Sequence, residues 1–326
     1  MLGTRSAHAS AGHVPRTARK GDIRLNAHHI DGVLIVHKPV GPSSHDIVAV
    51  ARRSLGTGRI GHTGTLDPQA SGVLPLVLGQ ATRLARHLTG SDKEYDATIR
   101  FGVVTDTYDA AGRVVDASGA TPSLDALEAV LPGFRGTFQQ TPPAYSAKMI
   151  EGERSYVHAR AGKPVQSHAV SVTTHVLELL AFAPPLARLR VRCSAGFYVR
   201  SLAHDLGRAL QTGAILEHLI RIEAAGFRLE EAVSFETLVQ APRADLRDRV
   251  RPMEALLTDM VAASLTAEGV EWARHGRNLG PAQLMAPLSG AAPLVRLIGP
   301  DRRLIGLAVR TKIPGFLHPT LVFSYN

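Results

Sequence analysis

The sequence predicts an α+β protein, with a mixed and largely antiparallel sheet in a domain over residues 31–250 and a small β-rich domain over 251–326. Three observations carry this reading. Short apolar runs are interleaved with helical patterns in the first part of the chain, two later segments alternate strictly with period two, and the final stretch holds one helix among three short strands. A length of 326 residues suits about two domains of roughly 100–200 residues each.

Residues 1–30 precede the first element. They hold Arg5, Arg16, Arg19, Lys20 and Arg24 against one acid, Asp22, with no apolar period, which is the composition of a disordered basic tail. An Arg-rich, acid-poor tail is also similar to a transit peptide, but its Gly and Pro break the amphipathic helix such a peptide needs. Order begins at Gly32-Val33-Leu34-Ile35-Val36, a buried strand that enters a loop at Lys38-Pro39 and Gly41-Pro42. Ser43 or Ser44 can cap the next helix, whose Ile47, Val48, Ala51 and Leu55 share one face. A second helix is expected over 80–88, with Ala81, Leu84, Ala85 and Leu88 at helical spacing and Gly90 as its stop. The segment between these helices reads as a Gly-rich loop.

From Lys93 to Val103, Tyr95, Ala97, Ile99, Phe101 and Val103 fall on one face and Asp96, Thr98 and Arg100 on the other, as in a half-buried strand. Residues 188–193 set Arg188, Arg190 and Arg192 opposite Leu189, Val191 and Cys193, so one face of that strand is expected to be a guanidinium stripe. After Gly196 a helix should run through Leu202, Leu206 and Leu210 to near Gly213, and Leu219 reads as a buried helix position. The charged run 243–251, closed by Pro252, reads as an interdomain connection. The last module should hold a helix at 267–274, a hairpin of 294–298 with 304–309 turned by Pro300-Asp301, and a strand near 321–323.

Composition narrows the chemistry. A net charge of +9 and a pI near 10.1 favour a polyanionic partner, with a membrane surface as the other reading. The tail supplies four of the nine charges, five cations less one acid. No run of about 18 uncharged apolar residues is present and the N-terminus has no apolar signal core, so a non-spanning, cytoplasmic protein is expected. The single cysteine, Cys193, excludes an internal disulfide and any Cys-rich zinc site, and H-E-x-x-H is absent, so no metal is expected.

Gly56-Thr57-Gly58-Arg59-Ile60-Gly61 matches G-x-G-x-x-G, but a helix precedes it and no helix opens from it, so a dinucleotide-binding turn is rejected. Downstream lies Gly61-His62-Thr63-Gly64-Thr65-Leu66-Asp67-Pro68. Pro68 restricts Asp67 to extended backbone, and the surrounding glycines let the chain approach a ligand closely. A carboxylate so mounted can act as nucleophile or base, although an Asp-Pro in such a loop is more often a plain turn.

Several segments in order decide between these. Gly32–Val36 with Lys38-Pro39, Ser43-Ser44-His45-Asp46, the Gly61–Pro68 run with Ser71-Gly72, Lys93-Glu94-Tyr95, and Cys193-Ser194-Ala195-Gly196-Phe197-Tyr198-Val199-Arg200 together resemble the TruB family of bacterial tRNA pseudouridine synthases. Phe134-Arg135-Gly136, Tyr145-Ser146-Ala147-Lys148 and Asp205-Leu206-Gly207 match as well, so the resemblance covers about residues 31–225. The last module fits that family's PUA-type RNA-binding domain.

The resemblance implies a pseudouridine synthase fold and isomerisation of the T-loop uridine, position 55, in tRNA. It implies that Asp67 is the nucleophile, bonding to ribose C1′ or uracil C6 while the base detaches and turns. It pairs Asp67 with Arg200, whose fixed charge favours the ionised carboxylate. It places Tyr95 against the target base with a share in removing the C5 proton, Tyr198 and Leu219 on the pocket wall, and His62 in the space left by the flipped nucleotide. Lys38 and Arg59 complete the expected substrate contacts. No cofactor is implied, and a monomer is expected to grip the T-arm, with a basic insertion over 134–165 carrying Arg135, Lys148, Arg154, Arg160 and Lys163. Two positions depart from the pattern: His37 stands where Asp is usual, and Ile220 interrupts a usual Leu-Arg-Arg. The alternative is a non-catalytic RNA-binding or tRNA-folding protein, in which Asp67→Asn leaves function intact.

Overall fold

The computed structural model describes residues 30–145, 149–150, 153–154, 168–288 and 290–325. Residues 1–29 of the expected tail, and Lys148, Arg160 and Lys163 of the expected insertion, lie outside the described residues. In chain order the strands of the first half are β1 (Gly32–Lys38), β2 (Ile60–His62), β3 (Ala70–Leu78), β4 (Lys93–Phe101), β5 (Val104–Thr105), β6 (Val114–Asp116), β7 (Gly136–Gln140), β8 (Met149–Ile150) and β9 (Glu153–Arg154). They are followed by β10 (Val170–Ala183), β11 (Leu186–Cys193), β12 (Ala214–Ala224), β13 (Phe227–Arg228), β14 (Val233–Ser234), β15 (Ala262–Ser264), β16 (Leu294–Ile298), β17 (Leu304–Arg310) and β18 (Leu317–Val322).

Among the described residues ten strands form one sheet in the order β14-β1-β3-β12-β4-β11-β10-β7, with β2 on β3 and β13 on β12. Its pairs are antiparallel except β1 with β14 and β3 with β12, so the expected mixed, largely antiparallel sheet is present. A second sheet, β15-β16-β17-β18, occupies the C-terminal part.

Burial explains why the strands read differently. Alternate residues of β1 face opposite layers: Leu34 and Val36 pack with Ile47, Ala51 and Leu55 of helix α1 (Ser44–Leu55), while Val33 and Ile35 pack with Leu304, Leu307 and Phe323 of the C-terminal part. A strand covered on both faces is a continuous apolar run. β4 and β11 are covered on one face only, so they alternate, and their outer face carries ion pairs: Arg188 to Asp96 at 2.5 Å, Arg190 to Glu94 at 3.5 Å and Arg100 to Glu217 at 2.8 Å. The expected guanidinium stripe is thus a ladder of mixed charge. Such exposed pairs set register more than stability.

Other expectations need correction. The supposed loop between the first two helices contains β3, a nine-residue strand hidden in sequence by Pro75. The Pro75 carbonyl accepts from Thr63 N–H at 3.1 Å, so its missing N–H points to the same side, where the pairing of β3 with β12 has ended at Gly72 and that with β2 begins only at Leu76. No ladder bond is lost there. The second helix is a 3-10 turn, Gly79–Leu84, followed by the short helix α2 (Ala85–Thr89). Leu219 lies in strand β12, not in a helix.

Among the described residues the remaining α-helices are α3 (Leu124–Val130), α4 (Val199–Ala209), α5 (Phe235–Gln240), α6 (Arg243–Asp248) and α7 (Ala267–Arg274). Residues 243–248 of the charged run 243–251 are helical. The run ends in a two-bond bridge between Arg251 and Val33, with N–H to O distances of 2.9 and 2.8 Å.

Candidate active site

Asp67 stands in the segment that links β2 to β3, and five groups from elsewhere in the fold pin that segment. Ser44, buried in the first turn of α1, accepts from Leu66 N–H at 2.9 Å and donates to the Leu66 carbonyl at 3.1 Å. The Pro68 carbonyl accepts from Gly41 N–H at 2.8 Å and from the Lys38 ammonium at 3.4 Å. Arg221 of β12 donates to the Gly64 carbonyl at 3.0 Å and to the Val73 carbonyl at 2.7 Å. Thr63 is held by the Pro75 carbonyl noted above. Gly72, where β3 meets β12, has φ +114°, and a Cβ there would lie 2.2 Å from the Arg221 carbonyl oxygen, so only glycine fits.

Asp67 opens onto a cleft of about 510 Å³ lined also by Tyr95, Tyr198, Arg200, Leu219 and Arg221. These come from β4, the start of α4 and β12. Tyr198 precedes α4 and is fixed by Gln140 of β7, whose side-chain oxygen accepts from Tyr198 N–H at 2.8 Å and whose amide donates to the Tyr198 carbonyl at 3.1 Å. That clamp sets the first turn of α4, and with it Arg200.

Arg200 is the hub of the site. Its Nε lies 3.0 Å from Asp67 Oδ2, its Nη2 donates to the Tyr145 carbonyl at 2.9 Å, and its Nη1 donates to the Thr107 carbonyl at 3.2 Å and lies 3.6 Å from Asp109 Oδ2. The guanidinium is thus held between two carboxylates. Their exposures separate their roles: the Asp67 side chain is 45% exposed, while that of Asp109 is 12% exposed and also accepts from Thr107 Oγ1 at 2.6 Å and Ala111 N–H at 3.1 Å. Asp67 can meet a ligand, whereas Asp109 can only steady the arginine. Asp109 carries no local signal, because Thr105-Asp106-Thr107-Tyr108-Asp109 has only the composition of an ordinary polar turn.

Burial tunes the other titratable groups. It pushes the Tyr95 phenol up, partly offset by the Arg221 guanidinium against its hydroxyl. It brings the Lys38 ammonium down to about 8, with Asp67 opposing that shift, and Lys93, on the cleft wall, down to about 8 as well. It pushes the Cys193 thiol up to about 12, which removes it as a nucleophile at neutral pH.

Three of the expected substrate-contacting residues stand apart from the cleft wall. Lys38 is fully buried and serves the loop, as described. Arg59 is exposed and donates to Thr82 Oγ1 at 3.0 Å. His62 is set edge-on to His45 at 5.3 Å. Arg135, at the start of the expected basic insertion, donates to the Leu177 carbonyl at 3.0 Å.

A family model described as TruB family pseudouridylate synthase (N terminal domain) matches residues 52–199, and one described as tRNA pseudouridylate synthase B C-terminal domain matches 200–258. The chain belongs to the TruB family. It is 41% identical to a tRNA pseudouridine synthase B of Solibacter usitatus over 296 residues, which is 90% of this chain and all of that one. It is 45% identical to a protein of the same name from Symbiobacterium thermophilum over 256 residues, 77% of this chain and 83% of the relative. Among solved structures, a Cbf5-Nop10-Gar1 complex superposes with a TM-score of 0.70 at 26% identity, covering 90% of this chain and 85% of that one. An H/ACA ribonucleoprotein bound to a substrate RNA matches with a TM-score of 0.72 at 24% identity, covering 91% of this chain and 86% of the other.

As a TruB-family member the chain is a pseudouridylate synthase, an isomerase, with a pseudouridine synthase fold. Among the described residues no group of three or more His, Cys, Asp or Glu could hold a metal, and no helix is long and apolar enough to cross a membrane. The family assignment makes the Ser44 anchor testable. Ser44→Ala leaves the Leu66 N–H buried without its acceptor, so the stability should fall by about 1–3 kcal/mol and turnover should fall with it, measured by urea unfolding and by the rate of pseudouridine formation. Unchanged stability and rate would show that the loop is held without that hydroxyl.

Proposed function

We propose that this TruB-family chain isomerises the T-loop uridine of tRNA, position 55, with Asp67 as the covalent nucleophile. One observation supports this above the rest: the half-exposed Asp67 carboxylate faces the cleft while its Oδ2 is held 3.0 Å from a buried guanidinium. A carboxylate that must stay ionised and reach a reacting carbon needs this combination of a fixed cation behind it and open space before it.

In the proposed reaction the target nucleotide is flipped out of the folded loop, since its reacting face is otherwise stacked. Asp67 bonds to C1′ or C6, the C1′–N1 bond breaks, the base turns, C1′ bonds to C5, and the bond to Asp67 breaks, returning its carboxylate. The C5 proton then leaves and N1 is protonated, so no atom is gained or lost and no cofactor is needed. Tyr95, whose raised pKa disfavours the phenolate, is assigned the orientation of the base rather than abstraction of the C5 proton. Leu219 and Tyr198 would line the pocket that holds the base. Lys38 supports the loop carrying Asp67 in this account. We also assign the C-terminal β-rich part, 251–326, to RNA binding in the manner of a PUA domain.

Loss of the C5 proton supplies the test. tRNA transcribed with uridine tritiated at C5 should release tritium to water when incubated with the chain, in step with one isomerised uridine per molecule. Tight binding with no release would instead favour a tRNA-binding or tRNA-folding role.

Lys93 adds a pH dependence. Its ammonium, at about 8, is charged at neutral pH and is lost as the pH rises through that value, so the cleft becomes less positive and tRNA affinity should fall several-fold from neutral to alkaline pH. Lys93→Arg keeps the charge and should flatten that profile in a filter-binding titration. The same decline in both proteins would remove Lys93 as its cause.

A further inference from the structure

We propose that the stacked rings of Tyr108 and His204 form a positioning device that aims Arg200 at Asp67, a role that rests on the isomerase reading above. The two rings lie 3.9 Å apart between centroids and 13° from parallel. Neither lines the cleft onto which Asp67 opens.

Their placement gives the stack its meaning. Tyr108 sits between the two residues that grip the far end of Arg200, Thr107 through its carbonyl and Asp109 through its carboxylate. His204 lies one helical turn beyond Arg200 on α4. The helix that carries the guanidinium and the turn that holds it are therefore joined twice, once through Arg200 and once through the rings. On its other side the turn is sewn to β12, with Leu216 N–H donating to the Tyr108 carbonyl at 3.0 Å and Ala110 N–H to the Leu216 carbonyl at 3.1 Å.

Tyr108 holds a left-handed backbone, φ +63°, which a tyrosine rarely adopts and which glycine or asparagine accepts freely. A turn that needed only this backbone would be better served by glycine. What tyrosine adds at this position is the ring, and the ring's partner is on the helix of Arg200. Burial and the neighbouring Arg208 push the His204 pKa down, so the imidazole is neutral near pH 7 and brings no second cation beside Arg200. Without the stack the turn keeps its β12 bonds but loses the second of its two ties to α4, the Nη1 contacts loosen, and the 3.0 Å ion pair to Asp67 is no longer held in line.

The test uses the full chain with unmodified tRNA transcript, at a temperature where circular dichroism shows every variant folded. Tyr108→Gly relieves the backbone and removes the ring, and Tyr108→Phe keeps the ring without the hydroxyl. Tyr108→Gly and His204→Ala should each lower the saturating single-turnover rate by about tenfold, since a small misalignment at a reacting group is costly, with tRNA affinity unchanged within about twofold. Tyr108→Phe should retain the rate, and the double variant should be no slower than the slower single one, because both remove the same contact. His204→Ala carries the same test should Tyr108→Gly not fold. Full single-turnover rates in the ring-deleted variants, losses that lie wholly in affinity, or additive losses would each overturn the proposal. Asp67→Asn, run beside them, keeps the readings apart: its activity would overturn the isomerase chemistry, whereas its inactivity beside a fully active Tyr108→Gly overturns the stack alone.

Discussion

Asp67→Asn is expected to abolish pseudouridine formation, by roughly 10⁴-fold or more if the carboxylate is the attacking group, while tRNA is still bound. The amide has nearly the shape of the acid, so the loop should keep its anchors at Ser44, Gly41 and Arg221, none of which touches the Asp67 side chain. What is lost is the negative charge and the nucleophilic oxygen. The variant also leaves Arg200 with one carboxylate instead of two, and Asp109 remains to hold it. Binding should survive, because contacts to folded RNA are spread over a wide surface. Appreciable turnover by this variant would remove Asp67 as nucleophile.

Arg200→Ala should lower the single-turnover rate by roughly 10²–10³-fold and change tRNA affinity much less. The side chain is 8% exposed and its donors are engaged by Asp67, Asp109, Thr107 and Tyr145, which leaves little of it for RNA phosphate. Its removal does two kinds of damage. Asp67 loses the cation that keeps it ionised and aimed, and Asp109 becomes a buried carboxylate without its guanidinium partner, a costly state. Arg200→Lys should rescue poorly, since one ammonium cannot reach partners arranged around a planar fork. A loss confined to affinity, with the rate at saturation intact, would mean that Arg200 serves the RNA rather than the carboxylate.

Much of the fold was legible wherever one face of an element meets water. The alternation read over 93–103 and 188–193, seen in the strands Lys93–Phe101 and Leu186–Cys193, and the apolar face of α1 all follow from one-sided burial, and of the two cap candidates Ser43 and Ser44 it is Ser43 that caps α1. Elements covered on both sides were harder to read. β3 has no alternation, and its Pro75 is a strand breaker unless one knows that the pairing with β12 has ended beside it. β12 imitated a helix because Ile215, Leu216, Leu219 and Ile220 fall at helical spacing, and a register shift between Leu216 and His218 erases the strand period.

The candidate site divides in the same way. From its glycines and Pro68, Asp67 could be read as a presented carboxylate or, more commonly, as a plain turn, and resemblance both decided between these and supplied its partners Tyr95, Tyr198 and Arg200. Asp109 and Arg221 carried no local signal at all. Their roles come from distance in space: Arg221 is tied to Gly64, 157 residues away in the chain, and Asp109 meets a helix that begins at Val199. Lys38 shows the converse, a residue expected to contact substrate that the fold turns into a buried support.

The most direct test of the account is to map pseudouridine in an unmodified tRNA transcript after incubation with the purified chain and, in parallel, with its Asp67→Asn variant. The account predicts pseudouridine at the T-loop uridine with the unaltered chain and none with the variant. A T-loop uridine left unchanged by the unaltered chain, or converted by both proteins, would contradict it.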